Sequence, residues 1–149
     1  MNTQKPLTYL LGQTMHMVKL RLTSIFREND IELSLDQFII LHQLSLNENI
    51  TQQDLSNDLQ KDKSIILRQI NTLLEKRYVV RLPDKDDKRK KNLILTQKGY
   101  DALLSSKTIT QKISKELLEG VTEEELRNFE NVIEKIQKNT GHQPQQYNC

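Results

Sequence analysis

Apolar residues recur along most of the chain at spacings of three, four and seven, the period of a helix with one buried face. The first such segment runs from about Leu7 to Asn29. The second opens after Ser34 and stops at the polar run Asn47–Asn49. The apolar positions of these two segments are Leu7, Leu10, Leu11, Val18, Leu22, Ile25, Phe26, Phe38, Leu41 and Leu44. The pattern predicts two helices at the start of the chain.

Two further helices are predicted close together in the middle of the chain. Thr51 provides an N-cap for the first, and Asp54 follows three residues later, a variant of the capping box that usually carries Glu or Gln. After a brief turn, Asp62 caps a longer helix that extends to about Arg77. The inward-facing residues of this pair are Leu55, Leu59, Ile66, Ile70 and Leu73. This arrangement predicts a helix-turn-helix.

The period then changes to two, which is typical of β-strands. Strands are predicted at Tyr78–Leu82 and Asn92–Leu95, and the polar segment Pro83–Lys91 joins them as a hairpin. Thr96 caps a helix that follows and extends to about Glu119. A last helix begins at a second capping box, formed by Thr122 and Glu125.

These elements predict a mainly α fold with a small β-hairpin wing. The expected divisions are an N-terminal dimerisation helix at 1–34, a winged helix-turn-helix DNA-binding domain at 35–96, C-terminal dimerisation helices at 97–139 and a disordered tail at 140–149. Dimerisation is expected because the flanking helices carry more apolar surface than one small winged helix can cover. The composition agrees, since only 36% of the 149 residues are hydrophobic and none is Trp.

Charge is distributed unevenly along the chain, although the net charge is only +2. Residues 76–91 contain eight basic and three acidic side chains, whereas residues 116–134 contain seven Glu and one Arg. A basic segment beside a helix-turn-helix is typical of a surface that faces phosphates. The predicted partner is double-stranded DNA.

Several other classes of protein are disfavoured. The chain has no Gly-rich phosphate loop and no nucleophile–base motif, and its three histidines, His16, His42 and His142, lack metal-ligand spacing. We therefore expect no enzyme activity, no metal and no cofactor. Cys149 is the single cysteine, so no intrachain disulfide can form. No apolar run is long enough to span a membrane, and no signal peptide is recognisable, so a cytoplasmic protein is expected.

The second helix of a helix-turn-helix can enter the DNA major groove, where the base edges are distinguishable. If Ile66, Ile70 and Leu73 face inward, the opposite face presents Lys63, Ser64, Ile65, Leu67, Arg68 and Asn71. Two roles stay open for Ile65 and Leu67, which could contact thymine methyl groups or pack on a neighbouring helix. Arg68 is predicted to contact guanine or a phosphate.

The hairpin offers a second basic surface, formed by Lys88, Arg89, Lys90 and Lys91. Such a turn can enter an adjacent minor groove, whose negative potential favours Arg. The alternative is a solvated charged turn without a partner.

The segment LRQINTLLEKRYVVRLPDKDDKRKKNLILTQKG resembles the MarR family of bacterial regulators. The family's Asp-x-x-Asp-Arg-Arg wing and Leu-Thr-x-x-Gly motif are matched at Asp84, Asp87, Arg89, Leu95, Thr96 and Gly99. Four positions depart from the pattern: Lys88 replaces the first wing Arg, Arg77 stands at a usual Gly, Tyr78 at a usual aliphatic residue and Lys85 at a common Pro. Lys cannot form the bidentate contact that Arg can, which affects base contacts at the wing tip.

The resemblance implies a repressor that binds a pseudo-palindromic operator as a homodimer. It also implies that Asp87 pairs with an Arg and stiffens the wing, and that Arg68 is the recognition-helix arginine. Control by a small aromatic or anionic effector is implied as well, with Tyr9, His16 and His42 as candidates that could equally be ordinary packing or surface residues.

Two alternatives to this interpretation remain at the level of sequence. Control by cysteine oxidation fits poorly, because the family's reactive cysteine lies in the first helix and this chain has only Cys149. The alternative function is a winged-helix protein that serves protein–protein contacts or binds DNA without sequence specificity.

Overall fold

A computed structural model describes residues 5–142, which form six helices and one two-stranded hairpin. The elements in chain order are α1 Leu7–Glu28, α2 Leu35–Leu46, α3 Gln52–Asp58, α4 Lys63–Glu75, β1 Val79–Pro83, β2 Lys91–Leu95, α5 Gln97–Leu117 and α6 Glu123–Asn139. The mainly α fold with a β-hairpin wing is confirmed. The predicted disorder of the tail concerns mostly residues 143–149, which lie outside the described residues.

Side-chain caps explain where most of these helices begin. Thr51 and Asp54 form a complete capping box on α3, and Thr122 and Glu125 form another on α6. Asp62 accepts a hydrogen bond from the Ser64 amide at 2.8 Å and so begins α4. Each cap satisfies backbone N–H groups that the first turn of a helix leaves without an intrahelical acceptor. The helix starts were therefore predictable from short local motifs.

The hydrophobic core lies within the winged helix. It is built from α2, α3, α4, the hairpin and the first half of α5. The most completely buried side chains are Ile40, Leu41, Leu55, Ile66, Ile70, Leu73 and Val79. The predicted inward stripe of α4 is thus confirmed at all three of its positions.

The hairpin is antiparallel, with Val79 opposite Leu95 and Pro83 opposite Lys91. A third segment joins it, because the Leu93 amide donates to the Ile50 carbonyl at 2.9 Å and Thr51 forms a β-bridge with Asn92. The loop between α2 and α3 therefore fixes the base of the wing to the helix-turn-helix.

The end of α4 differs slightly from the sequence prediction. The helix stops at Glu75 rather than near Arg77, because Arg77 adopts a left-handed conformation with φ of 59°. The Arg77 amide donates to the Leu74 carbonyl and the Tyr78 amide to the Leu73 carbonyl, which is the Schellman arrangement. The strand then begins at Val79, one residue later than predicted.

Gly99 explains part of the Leu-Thr-x-x-Gly motif at the start of α5. A Cβ atom at this position would lie 2.0 Å from the Tyr78 carbonyl oxygen, so only glycine fits. Thr96 lies in the same junction, where its hydroxyl donates to the Arg77 carbonyl at 2.7 Å and accepts from the Gly99 amide. The motif therefore joins α5 tightly to the base of the wing.

The two outer helices bury little within this chain. Helix α1 buries only Ile25 and Phe26 near its end, and α6 buries no side chain. In α6, Phe129 is 56% exposed and Val132 is 51% exposed. No helix among the described residues is long and apolar enough to cross a membrane.

Candidate nucleic-acid interface

The exposed face of α4 is defined by the burial of the opposite face. Because Ile66, Ile70 and Leu73 are each about 1% exposed, the side chains on the opposite side of the helix point outward. All six residues predicted for this face are exposed, namely Lys63, Ser64, Ile65, Leu67, Arg68 and Asn71. Ile65 and Leu67 are each 41% exposed, so neither packs into the core of this chain.

The polar side chains of this face differ in whether they already have a hydrogen-bond or ion-pair partner within the chain. Among residues 5–142, the Arg68 guanidinium and the Lys63 ammonium make no ion pair. Ser64 instead donates to the capping carboxylate of Asp62 at 2.7 Å, and these hydrogen bonds lower the pKa of Asp62. The Ser64 hydroxyl therefore helps to hold the N-cap of α4, whereas Arg68 and Lys63 carry positive charge that is not paired within residues 5–142.

Two polar contacts position α4 and were not predicted from the sequence. The Gln37 amide of α2 donates to the Gln69 side-chain oxygen at 3.1 Å. Lys61, in the turn before α4, forms an ion pair of 2.5 Å with Asp36 of α2. Both pairs link residues more than twenty positions apart, so no short sequence motif predicts them.

The tip of the wing is organised around Asp87. One of its carboxylate oxygens accepts from the Arg89 amide and from Arg89 Nε, both at 3.1 Å. Hydrogen bonds from Arg89 lower the pKa of the Asp87 carboxyl, so it is ionised at neutral pH. The Arg89 side chain remains 92% exposed in this pairing. It is thus oriented by the carboxylate while its remaining donors stay open to solvent.

Three lysines surround this pair. Lys88, Lys90 and Lys91 are all exposed, and none forms an ion pair with another described residue. In the middle of β1, Arg81 donates to the Gln52 side-chain oxygen of α3 at 3.1 Å. The basic residues predicted for the wing therefore lie together on one exposed turn beside the helix-turn-helix.

Asp84 is a residue of the wing whose contacts the sequence did not predict. Its Oδ1 accepts from the Asp86 and Asp87 amides at 2.9 and 3.0 Å, and its Oδ2 accepts from the Asn92 side chain at 2.8 Å. The Asn92 bond is the largest cause of the lowered pKa of Asp84. An Asp that opens a polar turn is the available signal, because such residues commonly accept from amides two or three positions later.

The three candidates for a ligand site do not lie together. His42 is buried and stacks on Phe38, with ring centroids 6.3 Å apart and planes at 16°. It lines an open cleft of about 750 Å³ between α2 and α5, together with Phe38, Lys107, Thr110, Gln111, Ser114 and Lys115. Burial and the nearby Lys107 charge lower the pKa of His42, so its ring is neutral at pH 7. Tyr9 and His16 lie on exposed α1 and do not line this cleft.

A second, more apolar cavity of about 330 Å³ lies beside the first, between α1, α2 and α5. Its lining includes Val18 and Leu22 of α1, Ile39 of α2 and Leu117 of α5. Among the described residues, no cluster of His, Cys, Asp and Glu could hold a metal ion. Cys149 lies outside those residues.

The central part of the chain is similar to one protein family. The model of the MarR family matches residues 33–91, which extend from the start of α2 to the end of the wing turn. The chain is 26% identical over 110 residues to the uncharacterised HTH-type transcriptional regulator YybA of Bacillus subtilis, covering 74% of this chain and 73% of that protein. It is also 26% identical over 129 residues to the multiple antibiotic resistance protein MarR of Escherichia coli, covering 85% and 90%.

The solved structures give the same fold. The crystal structure of MepR from S. aureus in complex with DNA matches with a TM-score of 0.79 and 21% identity, covering 91% of this chain and 96% of that one. The match extends well beyond the winged helix, so the flanking helices are arranged in the same way in both chains.

Proposed function

We propose that this chain is a winged-helix transcription regulator of the MarR family, a repressor that binds a pseudo-palindromic operator as a homodimer. One observation carries the proposal. The outward face of α4 presents Arg68, Lys63, Ile65 and Leu67 to solvent, immediately beside an exposed basic wing. A surface of this kind matches a major groove and its neighbouring minor groove.

We assign base contacts to the first half of α4. Arg68 binds guanine or a phosphate, and Ile65 and Leu67 contact thymine methyl groups, which explains why two large apolar residues stay exposed. Lys63 and Asn71 bind the edges of the same site, and Ser64 contributes its remaining lone pairs. The chemistry of the face therefore favours sequence-specific binding over a purely electrostatic contact.

The wing supplies the second contact in this proposal. Lys88, Arg89, Lys90 and Lys91 bind the phosphates that flank the site, and Arg89 is held in an orientation suited to the minor groove by its pairing with Asp87. Lys88 stands where an Arg is usual, so it binds as a point charge.

Dimerisation follows from the exposed apolar surfaces of the outer helices. The large side chains left exposed there are Leu7, Tyr9, Leu10, Met15, Met17, Leu20, Phe129 and Val132. A second copy related by a two-fold axis buries them, and the two α4 helices then lie about 34 Å apart, one turn of DNA. The operator is consequently pseudo-palindromic.

The decisive experiment isolates genomic DNA fragments bound by the purified protein and sequences them. We expect a pseudo-palindromic site that the protein binds far more tightly than random DNA at ~150 mM salt. Arg68→Ala is expected to weaken operator binding by ~1–3 kcal/mol. Arg127→Ala is the matched control, because Arg127 is exposed on α6 and its ion pair among residues 5–142 is with Glu123 of the same helix.

Two outcomes would contradict this function. Equal affinity for operator and random DNA would indicate non-specific DNA architecture. Absence of DNA binding would indicate a winged helix that serves protein–protein contacts. An unchanged footprint in Arg68→Ala would remove Arg68 from the interface.

We also propose that a small aromatic anion releases the repressor by binding the cleft between α2 and α5. The Phe38 ring can stack on such a ligand, and Lys107 and Lys115 supply positive charge. Benzoate serves as a probe in a titration of the operator complex followed by fluorescence anisotropy. Lys107→Ala is expected to raise the benzoate concentration needed for release, whereas Lys112→Ala, an exposed neighbour that does not line the cleft, is not.

A further inference from the structure

Asn92 is a polar side chain in an unusual position. It lies in β2 and is only 3% exposed, although the residue opposite it in the hairpin, Leu82, is 47% exposed. Burying an amide is unfavourable unless its donors and acceptor find partners. The hydrogen bonds of the Asn92 side chain therefore indicate its structural role.

The Asn92 amide joins two parts of the molecule. Its Nδ2 donates to Asp84 Oδ2 at 2.8 Å, at the start of the wing turn, and lies 3.4 Å from Asn49 Oδ1 in the loop between α2 and α3. Its Oδ1 is buried and has no partner among the described residues. Rotating the amide would direct this oxygen toward the Asp84 carboxylate, so the observed orientation is the one that Asp84 requires.

Asp84 connects Asn92 to the tip of the wing through further hydrogen bonds. Its other oxygen accepts from the amides of Asp86 and Asp87, and its own amide donates to the Lys90 carbonyl at 3.0 Å. The Lys90 amide closes the turn on the Asp87 carbonyl at 2.9 Å. Asp87 then orients Arg89. A continuous set of hydrogen bonds thus runs from the α2–α3 loop to the basic side chains of the wing.

We propose that Asn92 and Asp84, together called the wing latch, are positioning residues that fix the angle of the wing relative to α4. They do not touch DNA. They determine whether the wing lysines and Arg89 reach the flanking minor groove while α4 occupies the major groove. This inference rests on the proposed function, because it specifies how the same DNA surface is held.

The sign of one mutation separates the latch from simple electrostatics. Asp84→Ala removes a negative charge from the DNA-facing side, which by charge alone tightens DNA binding. If the latch operates, the same change frees the wing turn and weakens operator binding. We expect a loss of about tenfold, together with a shallower dependence of affinity on salt, because phosphate contacts by the wing are lost.

A charge-neutral exchange supplies the rescue. Asn92→Asp places a second carboxylate against Asp84, and we expect it to disrupt the latch and weaken operator binding. In the double variant Asp84→Asn/Asn92→Asp, the amide at 84 donates to the carboxylate at 92 while its oxygen still accepts from the amides of Asp86 and Asp87. The double variant has the wild-type net charge, and we expect it to recover most of the wild-type affinity.

Footprinting locates the effect. Hydroxyl-radical protection of the minor groove at the flanks is expected to disappear in Asp84→Ala and Asn92→Asp and to return in the double variant. Protection of guanine N7 in the major groove by α4 is expected to persist in all of them. Thermal unfolding of each variant checks that the fold is intact, since a purely structural role would lower both kinds of protection together.

The outcomes distinguish the latch from the proposed function. If the wild-type protein protects the operator and Asp84→Ala binds it equally well or more tightly, the latch is rejected and the function stands. Failure of the double variant to recover flank protection also rejects the latch. If the wild-type protein protects no operator, both proposals fall.

Discussion

The winged-helix centre and the outer helices use similar apolar residues in opposite ways. In the centre, Leu41, Leu55 and Ile66 are at most 1% exposed, whereas Phe129 and Val132 of α6 are more than half exposed. Removing such a side chain from water contributes about 1.5–3 kcal/mol. The apolar side chains of the centre are buried within one chain and so stabilise it, whereas those of α6 remain exposed to water.

This difference indicates that the centre folds on the contacts of one chain, whereas the outer helices need a partner surface to bury their apolar side chains. The centre is a self-contained unit whose stability should depend little on protein concentration. The outer helices are amphipathic elements whose apolar stripe lacks a counterpart in the same chain, and a second copy is the partner we propose.

The largest effect is expected from charging the apolar stripe of α6. Phe129→Asp combined with Val132→Asp should convert the proposed dimer to monomers and reduce operator affinity at least ~100-fold, because the two half-sites would no longer be bound as one unit. Sedimentation velocity and fluorescence anisotropy measure the two effects. Asn128→Asp adds charge to an exposed position of the same helix and should leave both unchanged. A double variant that remains dimeric would refute the proposed interface.

The core of the centre should respond in stability rather than in assembly. Leu55 is fully buried in α3, and Leu55→Ala should lower the free energy of unfolding by about 2–5 kcal/mol through lost contacts and the cavity left behind. Urea unfolding at two protein concentrations measures this. Leu46→Ala removes the same atoms from a residue that is 43% exposed and should cost much less. Equal losses in the two variants would contradict the described core.

A smaller, stabilising effect is expected at the end of α4. Arg77 has a φ of 59°, a conformation that costs a non-glycine residue about 1 kcal/mol or more. Arg77→Gly should therefore raise the free energy of unfolding by about 1 kcal/mol. Arg77→Ala removes the same charge but keeps the unfavourable φ, so it should give no such gain. A gain in both variants would point to charge rather than to backbone conformation.

The smallest effect concerns pH. Hydrogen bonds with Thr51 lower the pKa of Asp54, and hydrogen bonds with Thr122 lower the pKa of Glu125. A carboxyl whose pKa is lower in the folded chain stabilises the fold above its unfolded pKa, and this contribution is lost as the pH falls through the folded value. Stability should therefore decline below about pH 4. Asp54→Asn should flatten the decline measured by unfolding at pH 3 and pH 6, and an unchanged slope would argue against this cap.

Sequence reasoning predicted the regular elements well, because periodicity and caps are local. The inward stripe of α4 followed from a spacing of 3.6 residues, and that stripe in turn determined which side chains of the helix point outward. Thr51, Asp62 and Thr122 marked helix starts because a single side chain satisfies the first turn.

The sequence could not predict polar contacts between distant segments. The pairing of Gln37 with Gln69 and the anchorage of Asn92 by Asp84 depend on how elements pack, and they leave no periodic trace. The sequence predicted that α4 extends to about Arg77, whereas the left-handed backbone conformation of Arg77 follows a helix that ends at Glu75. The roles of the α4 and wing residues on DNA remain predictions.

The contact between Gly99 and the Tyr78 carbonyl has a mechanical consequence. A Cβ atom at Gly99 would lie 2.0 Å from the Tyr78 carbonyl oxygen. The backbone of α5 is therefore in direct contact with the backbone at the base of the wing, with no side chain between them. A shift of α5 would therefore displace the base of the wing directly, and in the proposed homodimer this would link the spacing between subunits to the reach of each wing.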